Sequence, residues 1–341
     1  MIIAVDAMGG DNAPAEIVKG AVKAVTEDAT LKVILVGDEK AIQKELEICS
    51  KVKQPNISIM HTEEFIAMDD HPSEIIRGKR KSSMHLGLKL VKDKKADGFF
   101  TAGNSGAAMA VAMIILGLLE GVTRPAIGTI LPCSTKRGHF FMLDVGANVD
   151  CRPEHIVTFA IMGSAYAKKV LHINNPTVGL LSNGEEEGKG DMLTKTVYPI
   201  LKETNVINFI GNVEGKALFK GEADVVVCDG FAGNIALKVS QSVAKYMVSV
   251  LKEELLSSTV SKIGALLSKK AFQKVKDKTD GAQYGGAPLL GVKGVCVIGH
   301  GSSNDIAVAN GIKVAIRAAE SKMNDAIVDD VSNSLSNIYG I

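Results

Sequence analysis

Short polar loops that follow strand-like apolar runs hold most of the residues in this chain that could do chemistry. Their side chains are mainly Asp, Asn, Ser, Lys and His, and most are flanked by glycine. Glycine allows backbone N–H groups to approach a ligand closely, and amides and hydroxyls add further donors. Where such a loop leads into a helix, the helix N-terminus also favours negative charge. These residue types therefore predict an anionic ligand.

Candidate phosphate-binding residues come from four loops, each placed after a predicted strand. A plain strand-to-helix turn uses the same residue types, so any one loop is a weak signal, whereas their recurrence favours a common site. A nucleophilic role for Ser105 is disfavoured because its loop is not G-x-S-x-G. The candidates are Asp6, Gly9, Gly10, Asp11, Asn12, Gly103, Asn104, Ser105, Asn148, His300 and Asn304.

Four further residues are candidates for catalysis. Lys189 is flanked by two glycines, so its ammonium could reach an oxyanion, and a surface lysine is the equal alternative. Asp229 ends a predicted strand, and Asn234 and Lys238 lie four residues apart on one helix face. A carboxylate, an amide and an ammonium that converge there would form one corner of an active site.

Several familiar chemistries lack their motifs. The chain contains no G-x-x-x-x-G-K-[ST], no G-x-G-x-x-G after the first strand and no H-E-x-x-H. The seven histidines are scattered, which disfavours a structural metal, and no cofactor is predicted. Arg124 precedes Pro125 and could pair with an anion or form a structural salt bridge.

Apolar strand-like runs alternate with helical patterns along the whole chain, which is typical of an α/β three-layer sandwich with a largely parallel sheet. Such sheets bind ligands at the carboxyl ends of their strands. The predicted strands are Ile2–Ala7, Leu31–Gly37, Asp97–Ala102, Ala126–Leu131, Phe140–Val145, Thr177–Leu181, Val206–Ile210, Asp224–Cys228 and Val292–Ile298.

The composition of the chain favours a single large hydrophobic core and disfavours nucleic-acid binding. Of 341 residues, 46% are hydrophobic and only 4% are aromatic, and 39 basic residues nearly balance 38 acidic ones. The sequence contains no Pro-, Ser- or Gly-rich linker, so we expect one catalytic unit over 1–341, or two lobes that share one sheet. Five separated cysteines and the absence of a leader favour a reducing cytoplasmic location. The run Ala107–Leu119 is too short to span a bilayer and predicts a helix buried on all sides.

Segment 255–276 combines a helical apolar pattern with five lysines and no acidic residue. Leu256, Val260, Ile263 and Leu267 follow helical spacing, and lysines supply the charge. A basic amphipathic segment can lie on an anionic membrane or dock an acidic partner. A helical hairpin packed on the core or on a dimer mate is the equal alternative, so we expect the segment to protrude or to lie at a dimer interface.

At these loops the chain resembles the PlsX family, the bacterial acyl-carrier-protein:phosphate acyltransferases of phospholipid synthesis. The resemblance rests on six motifs that run in order along almost the whole chain. One departure is Ser182, where relatives have Asn, because a hydroxyl replaces only one hydrogen bond of that amide. The motifs are Ala4–Asp11, Ala102–Ala107, Leu143–Asn148, Gly211–Glu214, Val227–Asn234 and Tyr284–Ala287.

The resemblance implies transfer of a fatty acyl group from acyl-carrier protein to inorganic phosphate, giving an acyl phosphate for a membrane glycerol-3-phosphate acyltransferase. It also implies a homodimer with an isopropylmalate-dehydrogenase-like fold related to phosphotransacetylases, peripheral association with the inner face of the membrane, and an important lysine at Lys189.

Three other functions remain as alternatives at this point. A phosphotransacetylase would use coenzyme A in place of carrier protein. A nicotinamide-linked hydroxyacid dehydrogenase is suggested by fold kinship, which alone does not decide function. A membrane-surface scaffold would use segment 255–276 to bind lipid without turnover.

Overall fold

A computed structural model describes residues 1–49, 54–70, 75, 78–279 and 283–339. Its described strands form one eleven-stranded sheet with the order β3-β2-β1-β4-β11-β10-β5-β6-β9-β7-β8. The strands are β1 Ile2–Asp6, β2 Lys32–Gly37, β3 Ile57–His61, β4 Gly98–Thr101, β5 Ala126–Pro132, β6 His139–Leu143, β7 Thr177–Ser182, β8 Asn208–Glu214, β9 Val225–Val227, β10 Ala287–Leu290 and β11 Cys296–Ile298.

Strand direction changes across the middle of the sheet. The strands from β3 to β11 in that order are mutually parallel, and so are β6, β9, β7 and β8. Between these two sets, β10 is antiparallel to β11 and β5, and β5 is antiparallel to β6. The two parallel sets therefore run in opposite directions. The carboxyl ends of one set lie at the same end of the sheet as the amino ends of the other set.

Helices cover both faces of the sheet, which confirms the predicted three-layer α/β architecture. Successive side chains of β1 point to opposite faces of the sheet. Ile3 and Val5 belong to the hydrophobic core on one face, and Ala4 belongs to the core on the other face. The helices are α1 Ala15–Glu27, α2 Glu39–Cys49, α3 Ser83–Lys92, α4 Ser105–Ile115, α5 Pro153–Lys169, α6 Met192–Glu203, α7 Gly230–Leu256, α8 Thr259–Leu267, α9 Lys269–Thr279, α10 Asp305–Glu320 and α11 Met323–Tyr339, with a 3-10 helix at Gly215–Lys220.

The expectation of a helix buried on all sides over Ala107–Leu119 is wrong. The helix is α4, and it ends at Ile115, shortly before Gly117 adopts a positive φ of 81°. Its alanine-rich face is buried, but Ile114 on the other side is exposed. Among the described residues, no helix combines the length and apolar character needed to cross a bilayer.

The helices α7, α8 and α9 extend away from the core. In α7 only Gly230 and Gly233 are buried, and α8 buries none of its residues. Val260 and Leu267 are each 82% exposed. A hairpin packed on the core of its own chain is therefore excluded for the described side chains of segment 255–276, whereas that of Lys276 lies outside them.

Candidate active site

The first group of candidate residues surrounds the buried carboxylate of Asp6 at the end of β1. Thr101 Oγ1 donates to Asp6 Oδ2 at 2.8 Å, and Gly103 N donates to Thr101 Oγ1 at 3.0 Å. A Cβ on Gly9 would lie only 2.6 Å from Asp6 Oδ2. Burial raises the pKa of Asp6, while hydrogen bonds to its oxygens act in the opposite direction. Asp6 thus ties the loop after β1 to the loop after β4.

The loop after β11 completes this group. Asp11 N donates to Gly301 O at 2.8 Å, and Gly10 adopts a φ of 110° close to the same carbonyl. His300 is exposed, and its Nδ1 lies 2.9 Å from Ser302 Oγ. Three glycine-bounded loops are therefore in direct contact, as expected if they bind one ligand.

Two of the three asparagines in this group, Asn104 and Asn304, act as helix caps. Asn104 Oδ1 accepts a hydrogen bond from Ala107 N at 3.0 Å, and Asn304 Oδ1 accepts from Ala307 N at 3.0 Å. Asn104 Nδ2 also donates to Met68 O at 2.9 Å. These amides hold the N-termini of α4 and α10, which leaves backbone N–H groups and exposed side chains to meet a ligand. Besides His300, the exposed candidate side chains of this group are Asp11, Asn12, Ser105 and Asn304.

The second group is built on the buried carboxylate of Asp144, which follows β6. Its Oδ1 accepts from the N–H groups of Ile127, Gly146 and Ala147 at 3.0–3.2 Å. Its Oδ2 accepts from N and Nδ2 of Asn148 at 2.8 and 2.9 Å. Burial raises the pKa of Asp144, and these donors oppose that effect. Asn148 is thereby fixed inside its own loop.

Two glycines seat α7 on this loop. Gly230 N donates to Asn148 O at 2.7 Å. A Cβ on Gly233 would lie 1.9 Å from Asp144 O, and one on Gly230 would lie 2.7 Å from Asn148 O. Asp229 caps the helix, since its Oδ1 accepts from Ala232 N at 2.9 Å. The loop after β6 and the end of β9 are therefore one packed unit.

Lys189 lies in an exposed loop between β7 and α6. Unlike Lys202 and Lys216, which pair with Glu187 and Glu185 at 3.1 and 3.3 Å, it forms no ion pair in the described part of the chain. Two glutamates of this loop, Glu185 and Glu187, are thus paired with surface lysines. The ammonium of Lys189 stays available for an anionic ligand.

A cavity of ≈ 280 Å³ opens beside this loop. It lies between the ends of β7 and β9 and the first turns of α6 and α7. Its lining residues are Ile156, Leu180, Leu181, Ser182, Asn183, Gly190, Asp191, Leu193, Thr194, Val197, Cys228, Asp229 and Ala232.

Cys151 lies near the second group but is a poor nucleophile. Burial raises its pKa to about 12, and the negative charges of Asp144 and Asp229 add to that effect. The positive charge of Arg124, which is exposed, acts in the opposite direction. Arg124 therefore lies near Cys151, and it forms no ion pair among the described residues.

The helix α7 connects the two groups. Near its start, Asn234 lies beside Gly146, with its Cβ 3.6 Å from where a glycine Cβ would stand. Further along, Lys238 and Lys245 act on His300, whose pKa is lowered first by burial and then by these two charges. Asp229 is the N-cap of α7, and Asn234 and Lys238 lie four residues apart on that helix. They succeed one another along a helix that runs from the second group to the first.

Comparison with solved structures identifies the fold. It resembles a phosphotransacetylase from Streptococcus pyogenes with a TM-score of 0.62 at 18% identity, covering 93% of this chain and 94% of that one. The EutD phosphotransacetylase of Staphylococcus aureus gives 0.61 at 15% identity, with 94% of each chain covered. The architecture is that of the phosphotransacetylases.

Sequence comparison then gives the family. The model of the family described as "Fatty acid synthesis protein" matches residues 1–326. The chain is 48% identical over 328 residues to the phosphate acyltransferase of Acidobacterium capsulatum, covering 96% of both, and 46% identical over 330 residues to that of Lawsonia intracellularis, covering 96% of this chain and 94% of the relative. The chain belongs to this family and is an acyltransferase, so the dehydrogenase and scaffold alternatives are wrong.

Sequence reasoning missed the residues that hold the site together. Thr101, Asp144, Gly230 and Gly233 were not among the candidates, although all four lie within or beside the quoted loops. The spacing of Gly230 and Gly233 was an available signal, because two glycines in a helical first turn indicate close backbone packing.

Proposed function

We propose that this enzyme transfers a fatty acyl group from acyl-carrier protein to inorganic phosphate. The acyl phosphate would then serve a membrane glycerol-3-phosphate acyltransferase in phospholipid synthesis. The main support is the 45–48% identity, over nearly the whole chain, to proteins named phosphate acyltransferase.

The chemistry needs no covalent enzyme intermediate. A phosphate oxygen attacks the thioester carbonyl carbon, a C–O bond forms, and the C–S bond breaks as the thiolate leaves and takes up a proton. A thiol of pKa about 8.5 is a fair leaving group. The protein must hold phosphate against the carbonyl and stabilise the developing oxyanion, which suits helix N-termini and free ammonium groups.

We assign each role from the polar groups of a side chain that can contact a substrate. Lys189, without an ion pair among the described residues, would bind phosphate or the oxyanion. The exposed Asn234 and Lys238 would guide the thioester arm along α7, and the second carboxylate oxygen of Asp229 would face the cavity. The three loops around Asp6 would add an anion site near His300.

The exposed helices α8 and α9 supply a surface for partners. Their lysines at 262, 269, 270 and 274 are exposed, and the described part of α8 and α9 up to residue 275 carries no acid. This surface suits an acidic carrier protein and an anionic membrane, which fits a cytoplasmic homodimer held peripherally at the inner face of the membrane.

The first test combines purified protein, long-chain acyl-carrier protein and phosphate with a chelator, and traps acyl phosphate with hydroxylamine. We expect phosphate-dependent product with no added metal or nucleotide. Absence of product from both acyl-carrier protein and acyl-coenzyme A would refute the proposal. Product from acyl-coenzyme A alone would establish the phosphotransacetylase alternative.

The second test compares Lys189→Ala with Lys195→Ala, an exposed lysine on the neighbouring α6. Loss of a charge-assisted hydrogen bond should raise the KM for phosphate about tenfold in the first variant and leave it unchanged in the second. An unchanged phosphate KM in Lys189→Ala would remove this lysine from the phosphate site.

A further inference from the structure

The cavity beside the Lys189 loop has two chemically different ends. Its inner walls come from Ile156, Leu180, Val197 and Cys228, each at most 4% exposed. Its outer rim comes from exposed or half-buried polar residues at the ends of β7 and β9 and the start of α6. These are Ser182, Asn183, Asp191 and Asp229.

Ser182 marks the boundary between the two ends. Its Oγ is buried and has no hydrogen-bond partner in the described part of the chain, although a buried hydroxyl normally finds one. It lies at the last position of β7, between apolar Leu180 and polar Asn183. A ligand that is apolar inside and carries an oxygen acceptor at the rim would satisfy this hydroxyl.

We infer that this cavity binds the acyl chain of the substrate, with the reacting carbonyl at the rim beside Ser182. The inference rests on the proposed function, since it assigns the acyl group of that reaction to a place. Apolar inner walls favour methylene groups, and the free ammonium of Lys189 lies in the loop that borders the rim.

The size of the cavity limits how much chain it can take. At roughly 30 Å³ for each water-sized group, ≈ 280 Å³ accommodates on the order of ten methylenes. Longer chains would have to leave the cavity. Affinity should therefore rise with chain length only up to about that point.

The test measures binding without turnover, using S-alkyl-N-acetylcysteamine thioethers from butyl to hexadecyl and titration calorimetry. In the unaltered protein, affinity should increase about fourfold per methylene and level off near ten carbons. Ala232→Leu, which adds three carbons to the cavity wall, should move the levelling point to chains about three carbons shorter.

The matched control is Ala244→Leu, which makes the same change on the same helix outside the cavity and should leave the profile unchanged. Two results would overturn the inference: an affinity that does not change with chain length, or a loss of affinity in Ala232→Leu that is equal at all chain lengths. Acyl phosphate formation is assayed in parallel on the unaltered protein. Product together with a flat alkyl series refutes only the cavity assignment, whereas a length-dependent series without product refutes only the proposed reaction.

Discussion

The two buried carboxylates at the strand ends act as structural anchors at the residue scale. Asp144 accepts five hydrogen bonds, four from the loop after β6 and one from Ile127 in β5. Asp6 joins two loops through Thr101. Such networks fix loop geometry because each unpaired buried group would cost free energy.

Replacing Asp144 by Asn should destabilise the protein by about 1–3 kcal/mol, since an amide NH₂ would then face N–H donors that need an acceptor. Urea denaturation at neutral pH measures this free energy of unfolding. The control is Asp150→Asn, an exposed residue in the same stretch of chain, which should change stability little. Equal stability of the two variants would contradict the anchoring role.

Gly233 gives a sharper residue-scale prediction. Because a Cβ there would lie 1.9 Å from Asp144 O, Gly233→Ala should cost about 1–3 kcal/mol of stability and displace α7. Gly264→Ala on α8 meets open space and should instead stabilise its helix by up to about 1 kcal/mol. Thermal denaturation of both variants checks the opposite signs.

At the scale of elements, α7 couples the two loop groups through its lysines. Burial and the charges of Lys238 and Lys245 hold the pKa of His300 below 6.5. Folding therefore opposes protonation of the His300 imidazole. The stability that the neutral imidazole contributes is present above pH 6.5 and is lost as the pH falls below it.

Lys238→Ala should raise the pKa of His300 by a few tenths of a pH unit, because it removes one neighbouring positive charge. The histidine resonance, assigned with His300→Gln, is followed by NMR titration. Lys252→Ala, further along the same helix, should leave it unmoved. A shift in the control and none in Lys238→Ala would mean that α7 does not bring this lysine to the loop.

Elements with strong local patterns were predictable from sequence, and long-range arrangements were not. Runs of β-branched residues located β1, β2 and β7 within about a residue. The strand β10 was missed because Pro288 interrupts it and the two glycines just before it, Gly285 and Gly286, favour a turn. The short strand β3, over Ile57–His61, was also missed.

The candidate site shows the same division. Loops rich in Gly, Asn and Asp at strand ends were visible in the residues themselves. Their separation into two groups was not visible, because it follows from β10 and β5 running antiparallel to their neighbours. The hydrogen bond from Ile127 to Asp144 also joins residues 17 positions apart, a pairing that the spacing of residue types does not encode.

At the scale of the whole molecule, the exposed α8 should govern attachment to membranes. Leu266→Asp combined with Leu267→Asp removes two exposed apolar groups and should weaken binding to anionic vesicles more than tenfold. Vesicle co-sedimentation measures the effect. Ile48→Asp, an equally drastic change at an exposed position of α2, is the control and should bind as the unaltered protein does.

Sedimentation velocity on the same proteins reports the oligomeric state. If the double variant binds vesicles normally but dissociates, α8 contacts a dimer mate and not lipid. Normal binding with an unchanged oligomer would contradict the role of these leucines in membrane attachment.

The position of β10 and β11 in the sheet has a consequence for biosynthesis. These strands come from residues 287–298, yet they lie between β4 and β5, whose residues leave the ribosome long before. Until the last sixth of the chain emerges, the facing edges of β4 and β5 have no partners, and open edges invite pairing with other nascent chains. The centre of the sheet is thus completed last, and an interval with two open strand edges during translation is the cost of this topology.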